Sequence, residues 1–245
     1  EPALAEVDAS LDAVNAFRDR PTGRLRLNVP GSAARLVLPY ILPAFGRAYP
    51  DIRVEVMVDE SFVDVLAAGC DAGIRYDERL DQDMIALPIG PACQRYALGA
   101  SPEYLAEHGE PKHPNDLLAH ACLEGQFRSG RMMVWEFDRA GETIRVEPRG
   151  PLLVQIGSGS ELLVDAGVAG MGIVALFEDW LEPYFDSGRL TPVLKDWWPR
   201  WSGPFLYYPG RRYLPAPLRA FVDFVKSDPC ARWPGPGRPE HQAHA

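Results

Sequence analysis

The sequence predicts an α/β protein built as two similar units. Strand and helix patterns alternate through residues 23–76, and a comparable series recurs between residues 121 and 194. The length, 245 residues, suits one large domain or two small ones, and either can bury a real core.

In the first unit, Leu25, Leu27 and Val29 alternate with Arg24, Arg26 and Asn28, a strand pattern. A helix comes next, with Leu38, Ile41, Leu42, Phe45 and Ala48 on one face. Pro39 fits its first turn, where a missing N–H costs nothing, and Pro43 removes at most one helical hydrogen bond so near the start. The helix ends at Tyr49-Pro50. Ile52, Val54, Val56 and Val58 then alternate with Arg53, Glu55 and Met57 as a second strand. "SFVDVLAAG" reads as a short helix and "CDAGIRY" as a third strand. Strand, helix, strand, helix, strand implies right-handed crossovers and a mostly parallel sheet.

The second series starts with "ACLEG", a short strand. "VWEFDRAGETIRVE" reads as a hairpin turning at Arg139 to Glu142. "PLLVQI" is a strand, "GSELLVDAGVAG" a helix, "MGIVAL" a strand, "FEDWLEPYFDSG" a helix and "RLTPVL" a strand. The link near "YALGASPEY" joins the two series. After Trp201, "FLYYP" is a strand and "LPAPLRAFVDFVKSD" a helix with Leu218, Phe221, Val222 and Val225 on its apolar face; either unit could own them. The tail from Pro229 lacks periodicity and is expected to be disordered.

Ahead of the first strand, Leu4, Val7, Leu11 and Val14 form two heptads of an amphipathic helix, broken at Arg18. "RDRPTG" severs that helix from the first strand, which favours a dimerising seam over packing on its own domain. "EPALAEVDAS" lacks the basic head and apolar middle of a signal peptide, and no Met leads it; a fragment or processed product is expected.

Composition narrows the function classes. Hydrophobic residues are 47% and charged residues 24%, the profile of a soluble globular protein. A net charge of −9 makes this chain a poor partner for a phosphate backbone. No apolar run is long enough to span a bilayer, so no membrane partner is expected. Cys70, Cys93, Cys122 and Cys230 show no CxxC spacing; unpaired thiols in a reducing cytoplasm are the simple reading.

Reactive constellations are absent from the sequence. "GSGSEL" has G-x-G between a strand and a helix, but Leu162 replaces the third glycine of a dinucleotide fingerprint, and there is no Walker lysine. No nucleophile elbow occurs. His108, His113, His120, His241 and His244 form no metal set and read as solvated surface residues. No catalytic residue, metal ligand or cofactor is expected.

Helix N-termini remain. Ser61-Phe62-Val63-Asp64 and Ser158-Gly159-Ser160-Glu161 both match the capping-box pattern, and Gly31-Ser32-Ala33 comes directly after the first strand. In parallel α/β sheets ligands sit at the carboxyl ends of strands, where helix N-termini offer N–H groups. Two facing units would bring Ser32, Ser61 and Ser158 around one cleft suited to a small polar or anionic ligand. Most serine caps do no more than cap. Glu161 disfavours an anion at its helix end, and Arg75 either offsets it or pairs with Asp77 or Glu78. Arg128 and Ser129 in "GQFRSGR" are weaker candidates.

An ordered set of motifs resembles the effector-binding domain of LysR-type transcriptional regulators. It comprises "GRLRLNVP", "LVLPYILPAFGRAYPDIRVEV", "DVLAAGCDAGIRY", "ASPEYLAEHGEPKHPNDLLAHACL", "WEF", "RGPLLVQIGSGSELLVDAGVAGMGIVAL", "SGRLTPVL" and "YYPGRRYLPAPLRAFVDFV", across residues 22 to 228. The resemblance implies two Rossmann-like subdomains joined by crossover strands, as in type II periplasmic binding proteins. Subdomain I would hold residues 22–98 and 203–228, subdomain II residues 99–202, and residues 1–20 would end a dimerising linker helix. An N-terminal winged helix-turn-helix, absent from this chain, would carry the DNA contact. Carried over by position, Gly31, Ser32 and Ala33, then Ser61 and Phe62, then Ser158, Gly159 and Ser160 would line the effector cleft. The sequence departs at Gln155, where many relatives carry Asn, and in "ALFEDW", where they often have "LLP". The implied protein is a cytoplasmic homodimer, or a tetramer at full length, that senses a small-molecule effector. A solute-binding protein of a transport system is the alternative on the same fold.

Overall fold

A computed structural model describes residues 21–60, 69–76, 84–157, 159–210 and 214–227. The seam at residues 4–14, the helix expected from Ser61 and the tail from Pro229 lie outside them. The chain divides into two units, with breaks between Ala92 and Cys93 and between Ser202 and Gly203; Asp59 and Glu60 group with the second unit.

In the first unit, strand β1 (Gly23–Val29) runs into two helices, α1 (Gly31–Leu36) and α2 (Leu38–Ala48), and then strand β2 (Ile52–Val58). Periodicity does not predict helix α1: six residues are too few to show a helical period. α2 forms as the pattern predicts, with Pro39 in its first turn and Pro43 inside it, and it buries Leu38, Ile41 and Phe45. Strands β3 (Ala72–Tyr76) and β4 (Met84–Pro88) come next.

The last strand, β13 (Pro204–Pro209), returns from the far end of the chain, and helix α6 (Ala216–Ser227) closes the unit. The sheet order is β2-β1-β3-β13-β4. β1 is parallel to β2 and β3, while β13 lies antiparallel to β3 and β4. The sheet is therefore mostly parallel, as expected, with one reversed strand inside it. The owner of the carboxyl-terminal strand and helix, left open by periodicity, is this first unit.

Its core is continuous. Leu25, Leu27 and Val29 of β1 meet Ile41 and Phe45 of α2 and Leu218, Phe221 and Val225 of α6. The Phe45 ring sits 5.0 Å from Phe221 in an edge-on pair. Each such side chain, fully buried, stabilises the fold by about 1.5–3 kcal/mol.

The second unit is organised on strand β5 (Cys93–Ala100), which the expected boundary after residue 98 would cut. Strand β5 stays whole in this unit because all its partners are here. After β5 come helix α3 (Pro102–His108), a 3-10 turn (Pro114–Ala119) and strand β6 (Glu124–Gln126). β6 begins later than "ACLEG" suggests, with Cys122 held by a single parallel bridge to Ile173.

Strands β7 (Trp135–Arg139) and β8 (Glu142–Val146) form the expected hairpin. Ala140 (φ 50°) and Gly141 (φ 87°) turn it in the left-handed region, the geometry that matches strand twist. Strand β9 (Leu153–Gln155), helix α4 (Ser160–Val168), strand β10 (Val174–Phe177), helix α5 (Glu178–Asp186) and strands β11 (Thr191–Val193) and β12 (Arg200–Ser202) complete the unit. β10, β11 and β12 all pair antiparallel with β5, and β6 pairs parallel with β9. The three-residue β12 is not legible in the sequence. α5 lies close on β5: a Cβ at Gly99 would stand 2.8 Å from the Phe185 ring.

Candidate effector site

In the first unit the polar centre lies at the carboxyl ends of β1 and β3. Asn28 pairs with Gly73 across the two strands. The Arg75 guanidinium reaches back over this pair. Its Nη1 donates to the carbonyls of Asn28 (3.2 Å) and Ile74 (2.7 Å), and its Nη2 donates to Oδ1 of Asn28. Asn28 is 1% exposed and Arg75 7%. Burying a guanidinium is costly unless its donors are used, and here the strand end supplies the acceptors. Strand alternation places Asn28 with the outward residues Arg24 and Arg26; Arg75 is what covers it.

The chain then turns through Pro30 into α1, where Gly31 and Ala33 are buried and Ser32 is half-buried. Pro30 caps α1 without a side-chain hydrogen bond, and the Ala34 N–H makes the first helical bond, to the Pro30 carbonyl. Gly31, Ser32, Ala33 and Arg75 are thus set around one strand end. Ser61 and Phe62 lie outside the described residues.

In the second unit the corresponding turn is residues 157–159, of which Ser158 lies outside the described residues. Gly157 has φ 99°, and a Cβ on it would stand 2.7 Å from Cγ of Glu60. A Cβ on Gly159 would run into Cγ1 of Val154 and stand 2.7 Å from the Gln155 carbonyl. Both glycines are therefore required by space or by backbone. The cap of α4 is Gly159 and makes no side-chain bond. α4 begins at Ser160, and the capping box expected at Ser158 lies outside the described residues. Ser160 itself is 4% exposed. Glu161 is in the first turn, where its charge opposes an anion.

Beside this turn, the Ile156 N–H donates to the Gln126 carbonyl. Arg128 is exposed and pairs with Asp59 at 3.8 Å, while the Arg131 guanidinium lies over the Phe127 ring at 4.7 Å. Ser129 only accepts a long bond from the Arg131 N–H. Among the described residues no group of three His, Cys, Asp or Glu could hold a metal ion.

The sequence from residue 18 to residue 229 matches the family described as the LysR substrate binding domain. The chain belongs to that family. It is 38% identical to the HTH-type transcriptional regulator YcaN of Escherichia coli (strain K12) over 226 residues, 92% of this chain and 72% of that protein. It is 30% identical over 226 residues to the HTH-type transcriptional regulator PgrR of the same organism, covering 92% of this chain and 74% of PgrR.

Among solved structures, full-length AphB, a virulence activator of Vibrio cholerae in the LTTR family, superposes with a TM-score of 0.76 at 27% identity. That match covers 93% of this chain and 76% of AphB. The regulatory domain of CrgA from Neisseria meningitidis gives 0.69 at 26% identity, covering 84% of this chain and 98% of that one. The LysR-type chain thus has the type II periplasmic-binding-like α/β fold of these regulatory domains. It is an effector-binding domain of a family of transcriptional regulators, not of enzymes. A solute-binding protein of a transport system is not favoured.

Proposed function

We propose that this LysR-type domain senses a small polar or anionic metabolite in a cleft between its two units. Gly31, Ser32, Ala33, Ser61, Phe62, Arg75, Ser158, Gly159 and Ser160 would line it. The observation that carries the reading is the buried Arg75–Asn28 pair at the carboxyl ends of β1 and β3, beside the first turn of α1. Such strand ends are where parallel α/β sheets take ligands.

Effector binding shifts the geometry of a homodimer, and the ligand does so by binding one state better than the other. The helix 36–49 of one protomer packs near the second unit of its partner. Tyr40 on α2 (52% exposed) and Val58 at the end of β2 (55%) supply apolar surface for such packing. DNA is contacted through a winged helix-turn-helix domain outside this chain, in the cytoplasm.

A thermal-shift screen against small carboxylates, aromatic acids, amino acids and sugars tests this, because a ligand of the native state raises the melting temperature by mass action. A saturable shift from one class, lost in Ser32→Ala or Ser158→Ala, is expected. A shift that survives both variants places the ligand elsewhere.

A further inference from the structure

The side-chain amide of Asn28 carries an acceptor on one branch and two donor hydrogens on the other. A guanidinium only donates, so the bond from Nη2 of Arg75 fixes which branch is which: Oδ1 faces Arg75 and Nδ2 faces away from it. Gly73 makes room for this. It lies opposite Asn28 on β3, and strand alternation puts Gly73 and Arg75 on one face, so the arginine can cross a residue without a side chain. The backbone carbonyl of Asn28 is taken by the same guanidinium. Nδ2 is different. It meets no acceptor among the described residues, although Asn28 is only 1% exposed. A buried amide donor without an acceptor is uncommon in a folded protein and calls for a ligand or an ordered water.

We propose that Asn28 is the residue with which the first unit recognises its effector, donating from Nδ2 to a carboxylate oxygen of the bound metabolite. The inference rests on the effector reading above and narrows its ligand class to acids. Arg75 is then a positioning residue: it holds the amide in the orientation that presents donors. Its cation also pulls on Oδ1, which polarises the amide, strengthens the Nδ2 hydrogens as donors and favours an anionic oxygen over a neutral one. The place suits the role. Asn28 is the second-last residue of β1, directly ahead of the turn through Pro30 into α1.

The test combines thermal shift with NMR of the nitrogen-15-labelled chain. The probes are small carboxylates, aromatic acids, amino acids and sugars, with acetate, benzoate, glycine and glucose among them. Asn28→Asp keeps an oxygen for Arg75 and replaces the two donors with an acceptor of nearly the same shape. In the parent, a carboxylate should raise the melting temperature saturably and move the Asn28 Nδ2 cross-peaks along the same titration curve. In Asn28→Asp its affinity should fall by about tenfold or more. The cross-peak reading needs no variant, so it decides the matter even where Asn28→Asp unfolds. A carboxylate whose binding is lost in Ser32→Ala, yet leaves the Nδ2 cross-peaks unmoved or binds Asn28→Asp as tightly as the parent, overturns this inference and leaves the effector reading intact; an ordered water then fills the place beside the amide. A response to sugars alone overturns the carboxylate assignment. No response to any probe overturns both readings.

Discussion

The Arg75 side chain holds Asn28 by both of its carbonyl oxygens, the backbone one at 3.2 Å and Oδ1 of the amide. Both residues are buried, so neither can turn to water for a replacement. Arg75→Met is expected to leave Oδ1 stranded and to lower stability by about 1–3 kcal/mol. A double-mutant cycle with Asn28→Ala, read by urea unfolding, should show coupling of about 0.5–3 kcal/mol. Additive effects would mean the two groups act independently.

The 157–159 turn should resist side chains. Gly157→Ala forces φ 99° on a residue that avoids it and meets Glu60, costing about 1–3 kcal/mol. Gly159→Ala overpacks against Val154 and the Gln155 carbonyl, costing about 1–3 kcal/mol as well. Melting temperatures of the two variants check this; unchanged values would mean the turn moves freely.

Phe45 is fully buried between α2, α6 and the first sheet, with ring neighbours Phe221 at 5.0 Å and Phe224 at 5.5 Å. Phe45→Ala should destabilise by about 3–5 kcal/mol in chemical denaturation, while Tyr40→Ala, on an exposed side chain, should change little.

The thiols should react unequally. Cys93 is exposed, whereas Cys70 and Cys122 are buried. Burial pushes the Cys122 thiol up to about 12, and burial with Asp71 raises that of Cys70, whose Sγ donates to the Met57 thioether at 3.4 Å. The thiolate is the reactive form. Brief alkylation of the native protein at pH 8, mapped by mass spectrometry, should mark Cys93 well before Cys70 or Cys122.

Asp116 gives an acid-side signature. The backbone N–H groups of Lys112 and His113 hold its carboxyl below the usual range. Its stabilisation is present above the unfolded carboxylate pKa, about 3.9, and is lost as pH falls through the lowered folded value. Asp116→Asn should therefore be less stable than the parent at pH 6, with the gap closing toward pH 3 in a pH series of thermal melts.

Much of the fold is legible in the sequence because it rests on repeated local patterns. The alternation of β1, the apolar face of α2 and the Arg139–Glu142 turn each appear with the period their backbone demands. The misses have physical causes. α1 and β12 are shorter than any period can register. Asn28 looks outward-facing because its cover, Arg75, lies 47 positions away in the chain.

The histidines of the 113–120 segment look like surface residues. Yet His113-Pro114-Asn115-Asp116 carries a capping signature with an imidazole in the serine's place, which a serine or threonine box does not describe. Alternation also puts a buried face at the carboxyl end of β2. Val56, Met57 and Val58 instead stand exposed on an edge strand.

Strand β13 sits between β3 and β4, and it arrives last. During synthesis the first unit must therefore wait, its sheet split, until residues 204–209 clear the ribosome. The second unit, whose strands all lie between residues 93 and 202, can assemble during that delay. A nascent chain that had released residues up to 202 but not β13 would have every strand of the second unit available and a first sheet with two unmatched inner edges. In that interval it would be a natural client for chaperones that shield β-edges, and synthesis speed over the final stretch would set how long the exposure lasts.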